Sequence, residues 1–219
     1  MDQAMIDLII SGTWETLYMT IVSTALAYLL GLPIGVILYI TSSTGIRPNR
    51  AVNIILGFIV NVLRSVPFLI LLVAILPFTR LVVGTTIGST ATIVPLVVAA
   101  APYVGRMVES SLKEVDSGVI EASRAMGTSL WQMIIKVFIP EAGPSLMVGA
   151  AISLATILGY SAMAGFVGGG GLGAIAINYG YYRYQTDVML ITVALLIIIV
   201  QIFQEGGLKL VNKFDKRFK

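Results

Sequence analysis

Long apolar stretches alternate with short polar segments along the whole chain. A helix that crosses a bilayer needs about 20 predominantly apolar residues, because each residue adds about 1.5 Å across a hydrocarbon core of about 30 Å. The pattern predicts an all-α membrane protein with a single transmembrane domain over residues 1–219. Five stretches are long and apolar enough to be membrane spans, at about residues 17–40, 51–78, 87–107, 145–167 and 188–203.

The composition agrees with lipid as the main solvent of this chain. Hydrophobic residues make up 57% of it and charged residues only 11%, whereas a soluble domain is about 45–50% apolar and about 25% charged. The chain contains no cysteine and no histidine. Thiol nucleophiles, Ser-His-Asp catalysis and zinc sites built on Cys or His are therefore excluded. We expect a protein that carries out no covalent chemistry of its own.

The basic residues predict the orientation of the chain, since Lys and Arg are retained on the cytoplasmic side of a membrane. If five spans begin with the N-terminus outside, 11 of the 14 basic residues lie in the cytoplasm. Of the other three, Arg80 and Arg183 lie outside and Arg64 lies within the second span. We therefore predict an external N-terminus and a cytoplasmic C-terminus. The basic tail at residues 213–219 is interpreted as an anchor to anionic lipid rather than as a nucleic-acid site.

The only sizeable polar segment is the predicted cytoplasmic loop between the third and fourth spans, at about residues 108–144. Its pattern predicts two short amphipathic helices that are separated at Gly127, a residue type that readily ends a helix. Ser129 and Gln132 have the spacing of a capping box that opens the second helix. Two helices joined in this way are suited to docking into a partner. The alternative is that both helices lie on the membrane surface.

The loop contains, in this order, Glu121, Ala122, Ser123, Gly127, Val137, Ile139 and Pro140. The spacing of these residues resembles the EAA loop of ABC-importer permeases, whose pattern reads E-A-A, three residues, G, nine residues, then I-x-L-P. Three conservative departures occur, because Ser123 replaces the second alanine, Val137 replaces isoleucine and Ile139 replaces leucine.

Other segments are similar to the methionine-import branch of the same permeases, so that the resemblance covers nearly the whole chain. These segments are residues 64–68, 77–80, 159–163, 167–173 and 179–181. The resemblance implies a type I ABC importer permease fold with five transmembrane helices and a cytoplasmic coupling loop, in a bacterial inner membrane. It also implies a homodimer, two separate ATPase subunits and an extracytoplasmic methionine-binding protein, with D- and L-methionine as expected substrates.

The sequence offers no ATP site of its own, because the motif G-x-x-x-x-G-K-[ST] is missing. We therefore expect no cofactor in this chain, and ATP and Mg²⁺ bound by the partner ATPase. In the coupling loop, Glu121 either pairs with a basic residue of the ATPase or forms a local hydrogen bond that fixes the loop. The alternative functions are a permease for another amino acid or small peptide, or, with less support, a secondary transporter.

Five residues are candidates for the transport pathway or its gate. Arg64 is a charge within the second span, and Pro67 interrupts the helix close to it. Arg64 either attracts a substrate carboxylate or is paired within the protein. By resemblance to the family, Tyr160, Ser161 and Met163 are candidates for the gate. The glycine-rich segment 168–173 is expected on the outer side, either as a receptor for the binding protein or as a flexible turn.

Overall fold

Helices account for most of residues 2–214, the residues that this computed structural model describes. The predicted all-α fold is confirmed, and no strand occurs in that range. The predicted lipid anchor at residues 213–219 lies outside the described residues except for its first two positions. The helices are α1 Gln3–Thr41, α2 Arg50–Ser65, α3 Phe68–Ala74, α4 Leu76–Val83, α5 Ser89–Lys113, α6 Ser117–Ala125, α7 Leu130–Met133, α8 Ile139–Glu141, α9 Gly143–Ala164, α10 Gly171–Ile175 and α11 Thr186–Phe214.

Four of these helices, α1, α5, α9 and α11, are long and apolar enough to cross a membrane. The remaining predicted span, the second one at about residues 51–78, contains α2 and α3, which meet at an angle of 102°. The bend lies at Val66 and Pro67, whose backbones are extended. Proline lacks an N–H and disfavours helical geometry in the residue before it, so the helix ends at this point. The second span is therefore a bent pair of helices rather than one straight helix.

The helices α1 and α5 extend beyond the spans that the sequence predicts. With 39 residues, α1 is about 58 Å long at about 1.5 Å per residue, far more than a membrane core requires. Helix α5 continues to Lys113, six residues past the predicted end at 107. The segment between the third and fourth predicted spans therefore begins at residue 114 rather than at 108.

The most extensive helix contact in the core joins α1 to α5 and includes close approaches at glycines. A Cβ atom added at Gly31 would lie 2.6 Å from Val104 Cγ1, and one at Gly35 would lie 2.5 Å from the carbonyl oxygen of Gly105. Small residues four apart allow two backbones to approach in this way, and close packing is the main attraction between helices in lipid. The pair α1–α5 is therefore the rigid centre against which the other elements are placed.

Candidate functional site

The two predicted helices of the coupling loop are present, and a side chain caps the start of each. Asp116 opens α6 by accepting hydrogen bonds from the N–H groups of Gly118 at 2.8 Å and Val119 at 3.3 Å. Gly127 ends this segment in the left-handed region, at φ +72°, a backbone conformation that residues with a side chain rarely adopt. The Gly127 N–H donates to the carbonyl of Arg124 at 2.9 Å. The prediction that the first helix of the loop ends at Gly127 is thus confirmed.

The second helix of the loop also begins as predicted, with a reciprocal capping box. The Ser129 hydroxyl accepts from the Gln132 N–H at 3.3 Å, and the Gln132 side chain accepts from the Ser129 N–H at 3.0 Å. After α7, a π-helical turn at Ile134–Phe138 leads directly into α8. Of the family-pattern residues, Val137 and Ile139 are half-buried and Pro140 is exposed. The loop is therefore structured from end to end.

Two contacts fix the coupling loop to the end of α1. The Arg124 guanidinium donates to the carbonyl of Ile46, just beyond α1, at 3.3 Å. Phe138, fully buried, packs edge-on against Tyr39 of α1 with ring centroids 5.1 Å apart. Because these contacts join the loop to the helix core, a force applied to the loop reaches α1 directly.

The three residues that match E-A-A, at positions 121–123, differ in their exposure. Ser123 is buried and its hydroxyl donates to the Val119 carbonyl at 2.8 Å, whereas Glu121 and Ala122 are exposed. Within residues 2–214, Glu121 forms no hydrogen bond or ion pair. The hypothesis that Glu121 fixes the loop by a local hydrogen bond is therefore wrong for this structure. Its carboxylate is instead available to a partner.

Two large apolar side chains of the coupling loop are exposed. Met126 is 75% exposed and Trp131 is 70% exposed, and they flank the Gly127 turn. Sequence reasoning did not single them out, because a methionine or tryptophan in an amphipathic segment usually packs against its own fold. Exposed apolar side chains beside a charged one are typical of a surface that a partner protein covers.

Arg64 lies on the face of α2 that is directed towards α5. It shares that face, at helical spacing, with Gly57 and Asn61, whose carbonyl and amide oxygens accept hydrogen bonds from Arg106 at 3.2 and 3.0 Å. Arg64 itself is exposed and forms no hydrogen bond or ion pair with any residue in the range 2–214. The interpretation that Arg64 is paired within this chain is therefore wrong for residues 2–214.

The gate candidates on α9 separate into two groups. Tyr160 stacks on Phe68 of α3 with centroids 4.6 Å apart and planes 6° from parallel, beside the bend at Pro67. Met163 is exposed. Ser161 is buried and its hydroxyl donates within its own helix, to the Leu158 carbonyl at 2.8 Å. The position of Ser161 thus does not support a role in lining a pathway, whereas those of Tyr160 and Met163 allow one.

A buried ion network on α5 was not predicted from the sequence. The carboxylate of Glu109 is bonded to Arg106 at 2.6 Å and to Lys113 at 2.7 Å, and Glu109 is only 6% exposed. The three residues are spaced by three and four positions, which is a recognisable helical signal. The signal was hidden because residues after 107 were assigned to a loop. Through Arg106, this network also joins α5 to α2.

The glycine-rich segment at residues 168–173 is anchored to neighbouring helices by hydrogen bonds. The carboxylate of Glu15 in α1 accepts from the Gly171 N–H at 2.7 Å, and the Thr16 hydroxyl accepts from the Leu172 N–H at 2.9 Å. In addition, Thr92 of α5 donates to the carbonyl of Gly169 at 3.1 Å. The expectation of a flexible turn is therefore wrong, since α1 and α5 both hold the segment.

No group of three or more acidic side chains is placed to hold a metal ion in the described part of the chain. The geometry instead offers a helical docking loop at one end of the bundle and a polar interhelical region around Arg64. Such features fit a membrane component that is moved by other proteins.

The chain belongs to the family described as the binding-protein-dependent transport system inner membrane component, which matches residues 31–206. It is accordingly a multi-pass inner-membrane protein. It is 50% identical over 211 residues to the probable D-methionine transport system permease protein MetI of Vibrio cholerae, covering 96% of this chain and 94% of that protein. It is 47% identical to the protein of the same description from Pasteurella multocida, covering 94% of this chain and 95% of the relative. A chain from the MetNI methionine ABC transporter in an inward-facing conformation superposes with a TM-score of 0.97 and 48% identity, covering 99% of this chain and 100% of that one.

Proposed function

We propose that this chain is the permease subunit of an ATP-driven importer, and that it forms the translocation pathway for D- and L-methionine. The observation that carries the proposal is the match over nearly the full length to a chain of a methionine ABC transporter, at 48% identity and a TM-score of 0.97. At that level of identity both the fold and the arrangement of its loops are retained, so the similarity bears on function as well as architecture.

In the proposed assembly, two copies of the chain form a C2 dimer with the pathway on the two-fold axis. Two separate ATPase subunits bind ATP and Mg²⁺ and dock from the cytoplasm, and an extracytoplasmic binding protein delivers methionine. The N-terminus lies outside and the C-terminus in the cytoplasm. This orientation is supported by the distribution of Lys and Arg along the sequence, because it places 11 of the 14 basic residues on the cytoplasmic side.

The coupling loop is proposed to receive the ATPase. Met126 and Trp131 supply exposed apolar contacts, and the Glu121 carboxylate, unpaired within residues 2–214, is suited to a basic residue of the partner. The contacts of Arg124 and Phe138 with the end of α1 make the loop part of a rigid body. Closure of the ATPase pair would therefore move the spans themselves, as in other transitions by rigid-body rotation.

The test is uptake of radiolabelled L-methionine into proteoliposomes that contain the permease with its ATPase and binding protein. We expect uptake to require ATP inside the vesicles, the binding protein outside and both membrane-associated subunits. Competition by unlabelled D-methionine, by other amino acids and by short peptides defines the substrate range. Uptake by the permease alone, driven by a proton gradient, would show a secondary transporter and refute the proposal.

A further inference from the structure

The starting observation is that Arg64 faces a polar cavity between helices. The cavity has a volume of about 320 Å³ and lies among α2, α5 and α9. Its polar lining residues are Arg64, Tyr103, Arg106, Ser110, Ser111, Glu114 and Ser145. Ser111 and Ser145 are hydrogen-bonded to each other at 3.0 Å, and Arg106 is bonded to Glu109, Gly57 and Asn61, whereas Arg64 forms no such bond within residues 2–214.

A second cavity adjoins Arg64 on its other side. It has a volume of about 200 Å³ and is lined by Arg64 and Tyr103 together with Phe68 and Tyr160, the stacked aromatic pair. Arg64 and Tyr103 line both spaces, so they lie between the two cavities. A guanidinium and a phenol in this position, next to the stacked rings of Phe68 and Tyr160, suit a ligand with an anionic end and an apolar side chain.

The charges around the cavity leave Arg64 without a counter-ion. Arg106 and Lys113 share the carboxylate of Glu109, at 2.6 and 2.7 Å. Glu114 also lines the larger cavity but is not ion-paired with Arg64. A charged side chain within a membrane domain is costly and normally finds a partner. Because residues 2–214 supply no counter-ion for Arg64, an anion that enters the cavity would pair with its guanidinium.

We propose that Arg64 binds the carboxylate of the amino-acid substrate inside the permease during translocation. Arginine presents a planar fork of donors that matches a carboxylate bidentately. Tyr103 adds a hydroxyl beside it, and the Phe68–Tyr160 pair provides the apolar wall for the side chain. This inference rests on the proposed function, since it requires that an amino acid passes through the dimer.

The test uses the absence of cysteine from the chain. The variant Arg64→Cys carries the only thiol of the permease, and is reconstituted with the ATPase and binding protein. Methanethiosulfonate reagents then attach an aminoethyl cation, a neutral methyl group or a sulfonatoethyl anion to it. The matched control is Arg80→Cys, at an exposed arginine on α4 that lines neither cavity around Arg64, and unmodified permease receives the same reagents. Arg64→Lys is a second variant that keeps a charge without modification.

We expect Arg64→Cys to lower methionine uptake by about tenfold or more, which corresponds to the loss of one charge-assisted hydrogen bond. ATP hydrolysis stimulated by the binding protein should persist, so that less methionine enters for each ATP. The aminoethyl reagent should restore much of the uptake, and the methyl and sulfonatoethyl reagents should not. Arg64→Lys should retain more uptake than Arg64→Cys, and Arg80→Cys should transport normally with every reagent.

Three results would overturn the inference. They are unchanged uptake in Arg64→Cys, equal restoration by the neutral and cationic reagents, or parallel loss of uptake and ATP hydrolysis that the cation does not restore. The last result would show that Arg64 holds the assembly together instead. Failure of the unsubstituted complex to import methionine would refute the proposed function, which distinguishes the two failures.

Discussion

The left-handed turn at Gly127 allows the coupling role of the loop to be tested by backbone conformation alone. Gly127 has φ +72°, and a Cβ atom added there would meet no atom of the chain within 4 Å. Substitution therefore causes no steric clash within this protomer. The cost is that of placing an L-side chain in the left-handed region, about 1–2 kcal/mol. A change of that size shifts a local equilibrium by about five- to thirtyfold.

The expected order of methionine uptake follows from this cost. Gly127→Asn should remain close to the unsubstituted protein, because Asn adopts left-handed conformations more readily than other side chains. Gly127→Ala should lose several-fold, and the β-branched Gly127→Val more. Gly127→Asp shares the tolerance of Asn for this conformation but places a second carboxylate near Glu121 on the docking surface, so it should abolish uptake.

The assay is uptake per molecule of permease inserted in the vesicle, together with ATP hydrolysis stimulated by the binding protein. Insertion is measured separately for each variant, because a poorly inserted protein would imitate a coupling defect. If Gly127→Ala transports normally while Gly127→Asn fails, uptake depends on the side-chain volume that fits against the ATPase. The argument from backbone conformation is then wrong. Normal uptake by Asp would remove the docking assignment of the loop.

Three further predictions concern the helix core and the outer anchor. Gly35→Leu should prevent recovery of folded permease, measured by size-exclusion chromatography in detergent, because even its Cβ would lie 2.5 Å from the Gly105 carbonyl oxygen; normal recovery would contradict the packing. Glu109→Gln should lower the stability of the permease by about 1–3 kcal/mol, since the buried carboxylate loses its charge-assisted bonds to Arg106, which is partly exposed, and to Lys113, which is exposed, and an unchanged thermal transition would refute this. Glu15→Ala should expose the segment around Gly171 to proteolysis while Glu15→Gln, which keeps an acceptor, protects it; equal cleavage of the two variants would show that the carboxylate does not anchor the segment.

The long spans and the loop caps were predictable because each is encoded locally. A membrane span depends on the apolar content of about 20 consecutive residues, and the caps at Asp116 and Ser129 depend on residues three or fewer positions away. The resemblance of the loop to a family pattern then identified the class of transporter. These features need no knowledge of how the helices pack.

The interhelical features were not predictable from this one sequence. The bond between Glu15 and Gly171 joins positions 156 residues apart, and nothing near either residue indicates the other. The direction of Arg64 likewise depends on which face of α2 meets α5, which the Arg106 contacts determine. The burial of Ser161 was not predictable for the same reason, because its helix face is set by packing that the local pattern does not contain.

Helix α5 connects the docking loop to the cavity around Arg64. Only three residues separate its end at Lys113 from the start of α6, so a displacement of the loop is applied almost directly to α5. Because α1 packs against α5 at Gly31 and Gly35, a movement of α5 also displaces α1. The hydrogen bonds from Arg106 connect the same movement to α2. The walls of the cavity at Tyr103 and at Arg64 therefore lie on elements that the same movement would reach. An ATPase that moves the loop would in this way reshape the space in which the substrate carboxylate is proposed to bind.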